Sequence, residues 1–102
     1  MTPPERLLRD LLKIGDAVVW SRHCHGLVAE LAEGLMPEIE AARYETGLLY
    51  VRSLLAIGRH VEDLPLQANW ILVARALESV IRTDLVRLTE TALTGSTSPV
   101  RP

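Results

Sequence analysis

The sequence is poor in cysteine and in aromatic residues: its 102 residues include one Cys, two Trp, two Tyr and no Phe. A single cysteine, Cys24, excludes a disulfide framework and is typical of a reducing, cytoplasmic setting. No uninterrupted apolar run reaches the roughly 18 residues that a membrane span needs, and no signal-peptide pattern opens the chain. We therefore expect a cytoplasmic protein without a membrane segment.

A large excess of charge of one sign is also lacking. Eleven Lys and Arg residues oppose thirteen Asp and Glu residues, so the formal net charge is −2, whereas nucleic-acid binders usually show a basic stripe. Lys13 is the only lysine, and this preference for Arg is typical of a GC-rich bacterial genome rather than of phosphate recognition. A local basic face formed by Arg75, Arg82 and Arg87 is compatible with the overall balance. A helical subunit of a nucleic-acid-associated complex is therefore the second alternative function.

Helical spacing of apolar residues runs along most of the sequence, in which 48% of the residues are hydrophobic. Residues 2–5 predict the start of a first helix, with Thr2 as the capping residue, proline at the first helical position and glutamate three residues after the threonine. Gly34 indicates the end of this helix, Pro37 the start of a second one, and Gly58 a left-handed cap at the end of the second. The sequence shows no strand pattern.

These signals predict an all-α fold of three long antiparallel helices, over about residues 3–34, 37–57 and 65–93. Whether the first helix is continuous or broken within residues 21–26 stays open. We expect residues 1–95 to form a single helical domain, and the Ser-, Thr- and Pro-rich residues 96–102 to form a flexible tail.

Two of the predicted helices carry more apolar surface than a three-helix chain can bury. At about 100° per residue, the third helix has one broad core face, yet Leu72, Val86 and Leu93 fall on its sides or back. Each large apolar side chain left in water forgoes roughly 1.5–3 kcal/mol of burial. We therefore predict a homodimer and a further protein partner, which uses the remaining apolar surface. The predicted protein-interaction residues are Tyr44, Leu48, Tyr50, Val51, Leu54, Leu55, Leu72 and Val86.

The cluster His23-Cys24-His25 is the pattern closest to a metal site. On a helix, the two histidines would point about 200° apart, and zinc sites usually combine four ligands with CxxC or HxxxH spacing. Three loop residues would complete a site only if their loop folds back onto the first helix: His60, Glu62 and Asp63. We expect no metal, no cofactor and no catalytic residue, and we expect Cys24 to pack as a small hydrophobic side chain.

Two charged residues lie on otherwise apolar faces of the predicted helices. Asp84 lies in the core stripe of the third helix, and Arg43 lies close to the direction of Leu54 on the second. Because buried charges persist only when they are paired, we predict a cross-helix ion pair between Arg43 and Asp84.

Together, these features predict a small non-enzymatic regulatory or adaptor protein that acts through protein–protein contact. An antiactivator is the leading example: it would sequester a transcription regulator by covering the surface that the regulator uses to dimerise. The mechanism would be competitive, with an amphipathic helical face as the binding surface.

The length of the chain and its long first helix, which opens with Arg6, Arg9 and Lys13, resemble the all-α chorismate mutases. The resemblance implies a dimeric enzyme in which several basic side chains converge on a dicarboxylate and a polar residue meets an ether oxygen. The internal Arg and Lys residues and the Glu/Gln pattern of such a pocket are missing here, so no site residue is carried over. A small helical-dimer enzyme of this architecture is the first alternative function.

Overall fold

The computed structural model describes residues 1–97, with side chains up to residue 93. All regular structure in this part of the chain is helical, which confirms the predicted all-α class. The described residues form four α-helices rather than three: α1 (Pro3–Ala17), α2 (Arg22–Glu40), α3 (Tyr44–Ile57) and α4 (Leu64–Thr97), with a 3-10 turn at Gly58–His60. None of these helices is both long enough and apolar enough to cross a membrane.

Successive helices run in opposite directions and form an up-down-up-down bundle, in which α4 packs against both α1 and α3. One end of the bundle, here called the tryptophan end, holds Trp20 and Trp70. The other end, here called the open end, brings Thr2 and Tyr44 next to Asp84 of α4. Because α4 has 34 residues, against 15 in α1 and 14 in α3, it continues beyond the open end. The molecule is therefore elongated and measures 62 × 22 × 22 Å.

Residues from all four helices build one apolar core. The largest fully buried side chain is that of Trp70, and its indole N–H donates to the backbone oxygen of Leu54 at 2.8 Å. This hydrogen bond satisfies the polar atom of a side chain that is otherwise surrounded by apolar groups. Among the residues whose side chains are described, no charged or polar residue is buried. The other members of the core are Leu8, Leu11, Val28, Leu35, Ile39, Leu48, Val51, Leu54, Ile57, Ala74, Leu77 and Ile81.

The start of the first helix is as predicted, but its length is not. Thr2 is the N-cap of α1, its Oγ1 accepts from the N–H of Glu5 at 3.5 Å, and Pro3 is the first helical residue. The predicted helix over residues 3–34 is wrong, because α1 ends at Ala17 and a new helix begins at Arg22.

The break between α1 and α2 lies at residues 18–21, mostly before the possible break near residues 21–26 that the sequence suggests. The indole N–H of Trp20 donates to the backbone oxygen of Gly15 at 2.9 Å, which folds Trp20 back onto the last turn of α1. The Oγ of Ser21 then accepts from the N–H of Cys24 at 3.2 Å and caps α2. A side-chain contact and a helix cap together therefore set this boundary.

Gly34 and Pro37 do not separate two helices, since α2 continues through both residues to Glu40. Gly34 instead allows close packing between α2 and α3. A Cβ atom at Gly34 would lie 2.6 Å from Cε1 of Tyr50, so only glycine leaves room for that ring. The predicted helix start at Pro37 is therefore wrong.

A Schellman motif ends α2 instead. The N–H of Arg43 donates to the oxygen of Glu38 at 2.8 Å, and the N–H of Ala42 donates to the oxygen of Ile39 at 3.1 Å. Ala42 adopts the left-handed conformation that this motif requires, with a φ of 57°. Glycine usually fills that position, so the sequence contains no typical signal for this turn.

The second predicted helix ends at Ile57, as expected, but Gly58 does not form a left-handed cap. Its φ is −55°, and the chain continues from α3 into the 3-10 turn. A Cβ atom at Gly58 would lie 2.6 Å from Cδ1 of Trp70. Glycine is therefore required here by the neighbouring indole ring and not by the backbone conformation.

The last helix, α4, begins at Leu64, and Oδ1 of Asp63 accepts from the N–H of Leu66 at 3.0 Å in its first turn. The helix extends to Thr97, past the predicted end near residue 93. It therefore enters the segment predicted as a tail, residues 96–102, of which residues 98–102 lie outside the described part of the chain.

Candidate protein-interaction surface

The eight predicted interaction residues divide into a buried, a half-buried and an exposed group. Leu48, Val51 and Leu54 belong to the core of the single chain, where at most 7% of their surface is exposed. They cannot contact a partner, and the prediction is corrected for these three residues. The physical reason is that α3 packs against both α2 and α4, which together cover its apolar faces.

The half-buried group is Tyr44, Tyr50 and Leu55. Tyr44 lies at the open end, where partial burial and then the negative charges of Asp84 and Glu5 raise the pKa of Tyr44 above the ordinary value of 10.0. Its phenol therefore keeps its proton at neutral pH. Tyr44 can donate or accept a hydrogen bond there but is not suited to act as a base.

The exposed group is Leu72 and Val86, which are 68% and 51% exposed. Leu93, which is 63% exposed, lies on the same side of α4 because these residues are separated by multiples of seven positions. We call this side the outer face of α4. A further exposed residue, Leu49 on α3, was missed, although neighbouring positions in the run Leu48-Leu49 point about 100° apart and cannot both face the core.

A groove of about 280 Å³ lies between α3 and α4, next to the outer face. Its apolar members Leu55 and Ile71 are half-buried, whereas its arginines are exposed. The Nε of Arg52 lies 3.3 Å from Oε2 of Glu78, and this ion pair joins α3 to α4 beside the groove. The residues that line it, here called the arginine groove, are Arg52, Leu55, Ala56, Arg59, Ile71 and Arg75.

Beyond the open end, α4 still carries large apolar residues. The core stripe of the helix includes the fully buried Leu77 and Ile81, continues through the half-buried Leu85, and reaches Leu88, which is 48% exposed. We call residues 86–97 the α4 extension. Within residues 86–93, Leu88 keeps the spacing of the core stripe. The side chains of this segment are nevertheless exposed, because the other helices do not pack over them.

The loop before α4 folds back towards the break between α1 and α2. Among the described residues, however, no three His, Cys, Asp or Glu side chains converge in a way that could hold a metal ion. His23 and His25 are exposed on α2, and Cys24 is buried as a free thiol. A groove of about 600 Å³ at the tryptophan end is lined in part by Cys24, His60, Glu62 and Asp63.

The predicted ion pair between Arg43 and Asp84 is wrong. The Nε of Arg43 lies 2.6 Å from Oε2 of Glu38, while Oδ1 of Asp84 lies 3.7 Å from Nη1 of Arg87. Arg43 lies in the turn that follows α2, so its side chain meets the last turns of that helix and not the core. The hydrogen bond and the charge of Glu38 raise the pKa of Arg43, which stays fully charged.

The basic residues at the start of the chain do not converge inside the bundle. Arg6, Arg9 and Lys13 are exposed along α1. The long first helix that suggested a resemblance to the chorismate mutases is two helices in the structure.

The chain matches no protein-family model, and no characterised protein or solved structure shows significant similarity to it. Three surfaces of this chain bear on its function: the outer face of α4, the arginine groove and the α4 extension.

Proposed function

We propose that this protein is a small regulatory or adaptor protein that acts through protein–protein contact as a homodimer, without catalysis. The α4 extension is the observation that carries the proposal. Val86, Leu88 and Leu93 all leave about half of their surface or more in water, within eight consecutive residues of one helix. Val86 and Leu93 lie on the outer face and Leu88 lies on the core stripe, so the extension exposes apolar side chains on two of its sides. Exposed apolar surface of this kind marks a contact site for another protein.

A second copy of the chain is the partner that fits the α4 extension. Charges of opposite sign alternate along the extension and the turn before it, in the order Arg82, Asp84, Arg87 and Glu90. Two such segments that run antiparallel can bury their apolar residues against each other and place basic side chains beside acidic ones. The contact would be two-fold symmetric, which is the commonest arrangement in homo-oligomers.

Dimerisation through the extension leaves the outer face around Leu72 and the arginine groove available for a different protein. We propose that the dimer covers a surface that its target needs for its own assembly, as an antiactivator does when it sequesters a transcription regulator. The buried free thiol of Cys24 is compatible with a reducing compartment, and we include a cytoplasmic location in the proposal.

Light scattering coupled to size exclusion, over a concentration series, tests the dimer. We expect a mass of twice 11.3 kDa for the wild-type chain. The double variant Leu88→Glu, Leu93→Glu should have the monomer mass, because an unpaired charge in an apolar interface is strongly unfavourable. Leu72→Glu is the matched control, since it introduces the same change on the same helix but inside the bundle region, and it should stay dimeric.

Circular dichroism of each variant shows whether the bundle is still folded when the mass is measured. A wild-type monomer at every concentration would contradict the proposal. A double variant that remains dimeric would also contradict it, because the contact would then lie elsewhere.

A further inference from the structure

We propose that the arginine groove between α3 and α4 binds an acidic amphipathic helix of a partner protein. This inference rests on the proposed function and adds the site and the chemistry of the second partner. It starts from the lining of the groove, where half-buried apolar side chains from both helices lie beside exposed guanidinium groups. A cleft of that kind between two helices is typical of the grooves in which a third, amphipathic helix binds.

The charge of the groove selects for acidic partners. Arg52 pairs with Glu78, whereas the side chains of Arg59 and Arg75 have no ion-pair partner among the described residues. The Nε of Arg59 donates to the backbone oxygen of Ala56 at 3.2 Å, which fixes the base of this side chain at the rim and leaves its terminal nitrogens as further donors. The groove is thus locally positive on a chain whose net charge is −2.

Apolar residues extend the groove on both sides. Leu72 follows Ile71 on α4, and Leu49 lies three residues before Arg52 on α3; both leucines are mostly exposed. A partner helix that lies along the groove could place its own leucines on this apolar strip. Its glutamates or aspartates, one turn apart, would then reach the guanidinium groups of Arg59 and Arg75, which bind carboxylates in bidentate geometry.

The same leucines argue against a nucleic acid as the ligand. Phosphate contacts need a run of exposed basic side chains, but Leu49 and Leu72 interrupt the positive surface and would lie against a hydrated, charged backbone. Burial against another apolar side chain is the more favourable use of these residues.

Fluorescence anisotropy with a synthetic peptide tests the site. The probe is a fluorescein-labelled helix of about 18 residues with leucines at positions i, i+3, i+4 and i+7 and glutamates flanking them; its matched control has lysine in place of every glutamate. We expect the acidic peptide to bind and the basic one not to bind, and we expect affinity to fall as the salt concentration rises, because exposed charges are screened.

Two pairs of charge changes locate the contact on the protein. The variant Arg59→Glu, Arg75→Glu should weaken binding at least ~10-fold, whereas Arg59→Lys, Arg75→Lys should weaken it by a factor of about 3 or less, because the charge remains but the fork geometry is lost. Leu72→Glu should also weaken binding. The matched control Arg6→Glu, Arg9→Glu makes the same change in net charge on the exposed side of α1 and should bind with unchanged affinity.

Light scattering gives the mass of every sample, so that peptide binding and dimerisation are tested independently. The variant Leu88→Glu, Leu93→Glu should bind the acidic peptide whether or not it is monomeric, because its changes lie outside the groove. Equal binding by wild type and by Arg59→Glu, Arg75→Glu would overturn the inference even if the dimer is confirmed. So would a failure of the peptide to bind, or a preference for a DNA duplex that the same two substitutions abolish.

Discussion

An apolar stripe runs through both halves of α4, but the two halves have very different surroundings. In the first half, Trp70, Leu77 and Ile81 are fully buried between α1 and α3. In the second half, Leu88 continues the same helical stripe and is 48% exposed. The difference lies in the neighbouring helices: α1 and α3 begin at the open end, whereas α4 continues past it. Apolar spacing therefore indicates which side chains seek burial, but the neighbouring chain segments decide whether the same chain provides it.

The tryptophan end holds the largest fully buried side chain of the core, that of Trp70. Trp70 meets Trp20 edge to face at a ring-centroid distance of 5.2 Å and fills the space left by Gly15 and Gly58. Both indole N–H groups are hydrogen-bonded to backbone oxygens. Among the described residues, no other pair of aromatic rings is in contact.

The largest effect is expected for Trp70→Ala, which should lower the free energy of unfolding by about 3–5 kcal/mol. The substitution removes the largest buried side chain and leaves a cavity at the centre of the tryptophan end. Urea denaturation followed by far-ultraviolet circular dichroism measures the change. A loss of that size is a large part of the total stability of an ordinary domain, which is about 5–15 kcal/mol.

Leu88→Ala is the control at the other end of α4. Measured on protein diluted until light scattering shows a monomer, it should lower the free energy of unfolding by less than about 1 kcal/mol, because the side chain is already half in water. Equal losses for the two variants would contradict the difference in packing between the two halves of the helix.

Glycine-to-alanine changes give the next largest effect. They distinguish a glycine that is packed against a buried ring from a glycine that faces open space. Gly58→Ala should lower the free energy of unfolding by about 1–3 kcal/mol, because the new Cβ would press against the buried ring of Trp70. Gly26 lies within α2, and a Cβ atom added there would meet no atom within 4 Å outside the backbone of its own helix. Gly26→Ala should therefore raise the free energy of unfolding by about 0.5–1 kcal/mol.

The same chemical denaturation experiment measures both alanine variants. If Gly58→Ala were as stable as the wild type, the ring of Trp70 would have room to move, and the tight packing at the tryptophan end would be refuted.

The parts of the fold that could be predicted are those that local chemistry decides. Thr2 and Pro3 start α1 where the capping pattern placed them, and the spacing of Leu77 and Ile81 identified the core face of α4. The exposure of Leu72 followed from the same helical arithmetic. Each of these features depends on residues within a few turns of one helix.

The remaining features depend on contacts between helices, which spacing within one segment does not report. In the sequence, Gly34 and Gly58 indicate helix ends. In the structure, they make room for the rings of Tyr50 and Trp70. Ala42 forms a left-handed turn without the usual glycine. For the same reason, three predicted contact residues of α3 proved to be core, since a helical wheel ranks the faces of a helix without telling how many neighbours cover them.

The smallest expected effect concerns the open end and its titratable groups. In a Tyr50→Phe variant, Tyr44 is the only tyrosine, and its absorbance at 295 nm should report a pKa above the ordinary value of 10.0. Adding Asp84→Asn should lower that pKa only in part, because burial is the larger cause and the charge of Asp84 is the second.

The stability of the fold should follow the same titration. Since the pKa of Tyr44 is higher in the folded chain than in the unfolded chain, the protonated phenol stabilises the fold at all pH values below the unfolded pKa, and this contribution is lost as the pH rises through the folded value. The double variant Tyr44→Phe, Tyr50→Phe should therefore lose less stability than the single variant Tyr50→Phe when the pH is raised above 10. The α2 substitution Gly26→Ala should shift stability equally at neutral and alkaline pH, because an added Cβ atom there meets no tyrosine. If the double variant and the Tyr50→Phe variant lost stability in parallel, the raised pKa of Tyr44, which burial and then the charges of Asp84 and Glu5 cause, would have no role in folding. The open end would then differ from the tryptophan end by packing alone.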